Sequence, residues 1–518
     1  MSFPVVGIGA SAGGLEAVSE LLGGLPETTD MAFLLVQHLD PKHDSLLAEI
    51  LAKKTPLPVA EVQDGMAVEP NCFYVIPPNT TLAFSGGRLR LTGRKPVPSQ
   101  HVPIDILFQS LAEERGYNAI GVILSGSGSD GARGIEAIKG AGGITFAQDP
   151  ASARFASMPK SAIETGCVDF ILAPPAIARE LTRIGHYPYM NGGAGEAPAD
   201  EDHMRRIFRL LRSASGVDFT HYKRSTVQRR LGRRMVLHPI EGLGAYAEIL
   251  KDNPGELQAL SQDLLIRVTG FFRDPETFGG LVETVFPALL QDRSATEPLR
   301  IWVPGCASGE EVYSIAIGLI EFLGERAINT PIQIFGTDVS ETAIDKARVG
   351  LYLDNITGEV SSARLRRFFV KLDGHYQIAK SIRDLCIFAR QDLTRDPPFS
   401  RLDLVSCRNL LIYLDQVLQR QVIPLFHYAL KSGGFLVLGP AESIGQSSEL
   451  FDLIDKRHKI YRRCTVPGRL GLEFGAGAPA SGRPGRHWHW CMGCGGNGRS
   501  NACSSRATTR PASSSTRA

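Results

Sequence analysis

No run of apolar residues in this 518-residue chain approaches the roughly 18 needed to cross a bilayer, so no helical membrane insertion is expected. The N-terminus has no basic stretch leading into an apolar core, so no secretory signal is expected. Cysteine is sparse: nine residues, scattered rather than framed as a disulfide scaffold, suit a reducing compartment. Charge is nearly balanced, and a net +2 leaves no surplus for a general hold on nucleic acid or an anionic membrane. A cytoplasmic protein is the expectation. Its 43% hydrophobic and 21% charged residues are ordinary for a globular protein, and the length exceeds what one core supports, so two or three domains are expected.

The stretch Arg300-Ile-Trp-Val-Pro-Gly-Cys-Ala-Ser-Gly-Glu-Glu311 reads as a short buried strand, a tight loop over 304–309, and a helix running through Tyr313, Ile317 and Ile320. That is the first turn of a nucleotide-binding βαβ unit. The turn has no Lys-Ser/Thr pair for phosphates, and Glu310 and Glu311 stand where a pyrophosphate would press on the helix. Acids there suit a cationic ligand without phosphates, and S-adenosylmethionine, with its ammonium and sulfonium, fits. A second strand, 332–336, ends at Asp338, where ribose hydroxyls are gripped in such folds. Ser340 caps the next helix. A third strand over 403–406 leads into Cys407-Arg408-Asn409, a helix from Asp415 to Leu430, and a further strand over 435–438. The insertion between Leu351 and Arg395 contains Gly374-His375-Tyr376-Gln377-Ile378, the mark of a small β element.

The N-terminal part alternates apolar strands and helices, which predicts a doubly wound, mostly parallel sheet with a hairpin inserted around Gly86-Gly87. Reactive groups in such sheets gather at the carboxyl ends of strands. Ser11 follows Val5-Val6-Gly7-Ile8-Gly9, His38 follows Phe33-Leu34-Leu35-Val36, and Asp130 follows Gly121-Val122-Ile123-Leu124 and a glycine-serine loop. A serine nucleophile needs a base, and the base an orienting carboxylate. The plain alternatives are a dinucleotide loop at Gly9–Gly14, a turn cap at His38 before Pro41, and a helix cap at Asp130.

Between the two α/β parts, His186 to Pro198 reads as a linker, followed by a small all-helical domain. One helix carries Arg229, Arg230, Arg233 and Arg234, two like-charge i,i+4 pairs that each cost a few tenths of a kcal/mol. Two readings stand: a solvated basic face, or a surface that docks onto an acidic partner. From about Val466 the chain loses periodicity and reads as a disordered tail. Cys491 and Cys494, with His487 and His489, have an unusual spacing for zinc, so no metal is expected.

Two resemblances organise these observations. Gly9-Ala10-Ser11-Ala12-Gly13-Gly14, Gln37-His38 and Leu124-Ser125-Gly126-Ser127-Gly128-Ser129-Asp130-Gly131 resemble the signature segments of the CheB-type protein-glutamate methylesterases. Thr269-Gly270-Phe271-Phe272-Arg273-Asp274, Gly305 to Glu311, Gly336-Thr337-Asp338 and Cys407-Arg408-Asn409-Leu410-Leu411-Ile412-Tyr413 resemble the CheR-type chemoreceptor methyltransferases. The resemblance implies an esterase domain over 1–186, a linker over 187–199, a helical domain over 200–268, a Rossmann-like S-adenosylmethionine-dependent methyltransferase domain with a small β insertion over 269–465, and a tail over 466–518. It implies Ser11 as nucleophile, His38 as proton shuttle and Asp130 as its orienting acid, with oxyanion donors near Ala12 and Ser127. Methionine is usual where Ser127 stands, and no phosphorylatable receiver domain is expected ahead of Ser11. Carried over by position, Thr269, Arg273, Glu310, Asp338, Asp392, Leu393, Arg408 and Asn409 contact the cofactor. Arg273 pairs either with the methionine carboxylate or with the incoming glutamate. The arginine helix matches the family's receptor-facing segment, which implies methyl-accepting chemoreceptor helices as partners. The rival readings are a signalling adaptor that keeps both folds without turnover and, against the charge balance, a nucleic-acid methyltransferase.

Overall fold

The computed structural model describes residues 3–38, 46–93, 102–187, 198–265, 268–291, 293–294 and 297–465. Most of the linker expected over 187–199, and the whole tail from 466 with its cysteines and histidines, lie outside the described residues.

The N-terminal part runs β1 (Val5–Ala10), α1 (Gly14–Gly23), β2 (Ala32–Gln37), α2 (Leu47–Ala52), β3 (Val59–Glu61), β4 (Phe73–Val75), the hairpin β5 (Thr80–Ser85) and β6 (Arg88–Gly93), α3 (Pro103–Arg115), β7 (Ala119–Ile123), α4 (Ala132–Ala141), β8 (Ile144–Gln148), α5 (Ser157–Glu164), β9 (Phe170–Leu172) and α6 (Pro174–Gly185). Seven strands form a parallel sheet in the order β3-β4-β2-β1-β7-β8-β9. All six residues of β1 are buried, because apolar helices cover both faces. On one face α3 lies so close to β1 that a Cβ on Gly9 would stand 2.5 Å from Ile104 Cγ2. This approach brings the start of α3 to the carboxyl end of the sheet. Strand order reverses at β1, with β2 on one side and β7 on the other, which opens a crevice there.

Four helices follow: α7 (Pro198–Ser215), α8 (Arg224–Leu237), α9 (Leu243–Asp252) and α10 (Pro254–Leu264). Phe219, Leu231, Tyr246, Leu250 and Leu260 are buried at their centre. Asn253 caps α10 by accepting from the Glu256 N–H at 3.1 Å, with Pro254 at the first helical position.

The C-terminal part contains α11 (Pro275–Gly280), α12 (Phe286–Leu290), β10 (Leu299–Pro304), α13 (Glu310–Leu323), β11 (Ile332–Asp338), α14 (Glu341–Val349), β12 (Leu351–Leu353), α15 (Ser362–Phe368), β13 (Phe369–Leu372), β14 (His375–Ile378), α16 (Lys380–Arg383), β15 (Cys386–Arg390), β16 (Leu402–Cys407), α17 (Gln416–Ala429), β17 (Leu430–Leu438), β18 (Phe451–Asp455) and β19 (Ile460–Arg463). The main sheet has the order β15-β11-β10-β16-β17-β19-β18, in which β19 runs antiparallel to both of its neighbours, β17 and β18, and the other pairs are parallel. Trp302 on β10 is fully buried, edge-on to Phe426 at 5.8 Å and Phe399 at 5.5 Å. The expected β element in the insertion is the antiparallel sheet β12-β14-β13. The stretch assigned wholly to that insertion also contains β15, which rejoins the main sheet as its parallel edge, Ile334 opposite Cys386. An edge strand with Ile387 exposed lacks the continuous apolar signature of its neighbours. Among the described residues no helix is long and apolar enough to cross a membrane.

Two candidate active sites

Register alone makes Ser11 and His38 neighbours. Ala10 of β1 stands opposite Gln37 of β2, and Ser11 and His38 are the next residue on each strand. Neighbouring strands lie roughly 4.8 Å apart. The Ser11 N–H donates to Ser125 O at 3.0 Å and the Ser125 hydroxyl donates to Ala12 O at 2.9 Å, which ties the Ser11 turn to the loop after β7. That loop delivers Asp130, buried, with Oδ2 2.9 Å from His38 Nε2. An ionised carboxylate only accepts, so Nε2 carries the proton toward Asp130 and Nδ1 is left as the basic nitrogen. The Asp130 carboxylate also accepts from the Ile104 N–H at 3.1 Å and the Asp105 N–H at 3.0 Å, the first turn of α3. The negative charge thus sits on a helix N-terminus. Asp105 itself accepts from the Gly134 N–H at 2.7 Å; burial, reinforced by the charge of Asp130, pushes its carboxyl up to about 8. The Gly126 and Gly128 N–H groups are committed to Phe155 O and the Ser157 hydroxyl, so neither is an oxyanion donor in this arrangement.

In the C-terminal part the turn from β10 to α13 bends at Gly309, whose φ is +96° and where a Cβ would meet Ala347 Cβ at 3.0 Å. Glu310 follows at once, facing a cavity of about 710 Å³ that Thr269, Gly270 and Ser308 also line. Burial pushes its carboxyl up to about 8; the Ser308 hydroxyl donates to both oxygens and opposes the rise, and the charges of Glu136 and Glu359 add to it. Asp338 holds the same turn from β11, accepting from the Ala307 N–H at 3.0 Å and the Ser340 N–H at 2.8 Å. With Asp392, Leu393 and Gly305 it lines a second, narrower cavity. Arg273 lines a third, of about 370 Å³, beside Thr269, and donates to Val268 O at 2.8 Å.

The other two residues carried over by resemblance, Arg408 and Asn409, directly follow β16. Arg408 is nearly fully buried, and its guanidinium is taken up by Arg273 O at 2.6 Å, Asp274 at 2.8 Å and Glu311 at 3.5 Å. Asn409, at φ 57°, donates its N–H to Glu442 at 3.0 Å. Both fix backbone around the cavities. Sequence reasoning missed Tyr222 and Leu264, which the helical part contributes to the Asp338 cavity, and Arg133 and Glu136 of α4, which line the cavities of Glu310 and Arg273. No local pattern marks them, because they reach these cavities from other domains.

The arginine helix requires a correction. Arg229 is exposed, but Arg230 and Arg233 are buried and Arg234 is half-buried, so these three do not form a docking face. Arg230 donates to Lys139 O and Gly140 O at the end of α4, and burial lowers its pKa to about 10. Arg233 pairs with Asp169 and Asp263 and donates to Gly143 O at 2.9 Å. Arg234 pairs with Glu256. Like charges four residues apart are tolerated because carboxylates and carbonyls from other elements take up Arg230, Arg233 and Arg234, while Arg229 is exposed.

Among the described residues no cluster of three or more His, Cys, Asp or Glu is arranged to hold a metal ion. Three family models match the chain in order: CheB methylesterase over 6–181, the all-alpha domain of CheR methyltransferase over 202–265, and its SAM-binding domain over 267–460. A 104.1 kDa protein of Rhodobacter capsulatus is 38% identical over 464 residues, 85% of this chain and 48% of that protein. The chain therefore spans about half the length of that relative. Chemotaxis protein methyltransferase 2 of Vibrio cholerae is 32% identical over 48% of this chain and 87% of its own length. Protein-glutamate methylesterase/protein-glutamine glutaminase 5 of Anaeromyxobacter dehalogenans is 41% identical over 35% of this chain and 51% of its own. The chain belongs to the CheB methylesterase and CheR methyltransferase families, joined in that order on one polypeptide.

Proposed function

We propose that this chain both removes and installs methyl groups on glutamate side chains of chemoreceptors or related signalling helices in the cytoplasm, as a protein-glutamate methylesterase and an S-adenosylmethionine-dependent protein-glutamate O-methyltransferase. The observation that carries the first activity is the convergence at the carboxyl end of one sheet: Ser11 and His38 follow neighbouring strands, and Asp130 lies 2.9 Å from His38. In hydrolysis the Ser11 hydroxyl attacks the ester carbonyl and gives its proton to His38 Nδ1. Asp130 stabilises the imidazolium that results, and the N–H groups of Ala12 and Ser127 take the oxyanion. As the intermediate collapses and the C–OCH3 bond breaks, the His38 imidazolium gives its proton to the leaving methoxide oxygen, methanol departs, and water repeats the sequence on the acyl-serine.

For the second activity, the buried acid Glu310 at a glycine bend suits an ammonium, and Asp338 at the end of the next strand suits ribose hydroxyls. S-adenosylmethionine supplies an electrophilic methyl when bound. Thr269, Asp392 and Leu393 line the remainder of the two cavities. Arg273 offers a cation to a carboxylate, and Arg408 braces the Thr269–Asp274 loop from behind. A glutamate carboxylate is a competent nucleophile above its pKa of roughly 4.3, so the residues have only to orient it.

Ser11→Ala tests the reading: ester hydrolysis on methylated receptor is lost while methyl incorporation from labelled S-adenosylmethionine persists. Asp338→Ala does the reverse. Hydrolysis that survives Ser11→Ala would remove the triad assignment.

A further inference from the structure

The loop entering α4 and the first turn of that helix, in the esterase domain, touch the methyltransferase domain at two points four residues apart. The Ser129 hydroxyl donates to Asp354 Oδ1 at 2.7 Å, and Arg133 pairs with Glu359. Asp354 and Glu359 bracket a single 3₁₀ turn, Asp354–Gly358. Glu359 faces inward as well: its Oε2 accepts from the Phe271 N–H at 2.9 Å, in the loop that presents Thr269 and Arg273 to their cavities. A Cβ on Gly270 would stand 2.4 Å from Glu359 Oε1, so the carboxylate lies flat against that loop.

The charge balance of this carboxylate depends on the other domain. Burial raises the Glu359 pKa, and Arg133 is the foremost influence opposing the rise. Without Arg133 a largely buried carboxylate loses its ion pair. It then takes up a proton or turns to water, and either change weakens its grip on Phe271. Arg133 also lines both the Glu310 cavity and the Arg273 cavity, so the coupling is short.

We propose that Arg133 of the esterase domain is a positioning residue of the methyl-donor site: by holding Glu359 against the Phe271 N–H it fixes the Thr269–Arg273 loop, and the transferase borrows part of its donor-site geometry from the esterase. The proposal rests on the reading of the Glu310 and Asp338 cavities as the S-adenosylmethionine site.

Calorimetric titration of the full chain with S-adenosylmethionine tests it, with thermal midpoints recorded for every variant. Arg133→Gln keeps the stem and removes the charge, and affinity is expected to fall roughly tenfold, the loss of one charge-assisted hydrogen bond. Arg133→Lys restores most of the loss, which a packing role would not predict. Glu359→Ala shows a similar loss, and adding Arg133→Gln to it costs little more, because both act through one carboxylate. An Arg133→Gln affinity within about twofold of wild type, a lysine variant no better than glutamine, or fully additive losses each overturn the proposal. Wild type that fails to bind, or an Asp338→Ala variant that binds equally well, instead sinks the reading of the cavity itself.

Discussion

Glu310 shows at the scale of one residue how burial becomes function. Its carboxyl moves from 4.5 to about 8, chiefly because water is removed from it, with Glu136 and Glu359 adding their repulsion. A group whose folded pKa is raised binds its proton more tightly when folded, so its contribution to stability is present below 4.5 and lost as pH rises toward 8. Glu310→Gln, which cannot ionise, is therefore expected to gain stability on wild type as pH goes from 5 to 8 in urea titrations. The ligand reverses the sense. An ammonium is attracted only by the ionised form, so affinity for S-adenosylmethionine climbs with pH, by at most about tenfold per unit, until the ligand's own amino group deprotonates near roughly 7.7–8.0. Calorimetry between pH 6 and 7.5 should show this slope in wild type and none in Glu310→Gln. An unchanged slope in the variant would assign the titration to another group.

At the scale of elements, the start of α3 is what makes Asp130 more than a helix cap. Ile104 and Asp105 donate two N–H bonds to its carboxylate, leaving it aimed at His38. Asp130→Asn presents an amide that cannot accept from both N–H groups and from Nε2–H together, so the imidazole loses the tautomer with a basic Nδ1. Ester hydrolysis is expected to fall by roughly three to four orders of magnitude with the thermal midpoint little changed; a loss below about tenfold would demote Asp130. The elements behind this arrangement were readable from the chain, because Ser11, His38 and Asp130 each follow an apolar strand and a glycine or short polar turn. The partners of α8 were not. The arginine spacing states how charges sit on one helix, whereas Asp169 and Asp263 lie 64 and 30 residues from Arg233. Strand β15 escaped notice for a related reason: an edge strand with a half-exposed Cys-Ile-Phe-Ala-Arg sequence takes its identity from pairing with β11.

At the scale of the whole molecule, Arg233 joins the esterase domain to the helical one. Its side chain is fully buried between Asp169, which precedes β9, and Asp263 on α10, while Lys139 lies 3.3 Å from Asp169. Removing this arginine leaves two buried carboxylates short of a counter-charge, a change that typically costs about 3–5 kcal/mol. Arg233→Met is expected to lose that much in urea titrations, and Asp169→Asn with Asp263→Asn in the same chain should recover most of it, since the penalty is uncompensated charge. The wild-type pH dependence follows from the same network. Burial alone would raise the Asp169 pKa, but Arg233 and Lys139 outweigh it and hold the carboxyl below its ordinary value. A lowered folded pKa means stabilisation present above the unfolded value of roughly 3.9 and lost as pH falls through the folded one. Acid should therefore loosen this joint. Scanning calorimetry at neutral pH should give one transition for wild type and separate esterase and transferase transitions for Arg233→Met; a single unshifted transition in the variant would show that the joint does not couple the domains.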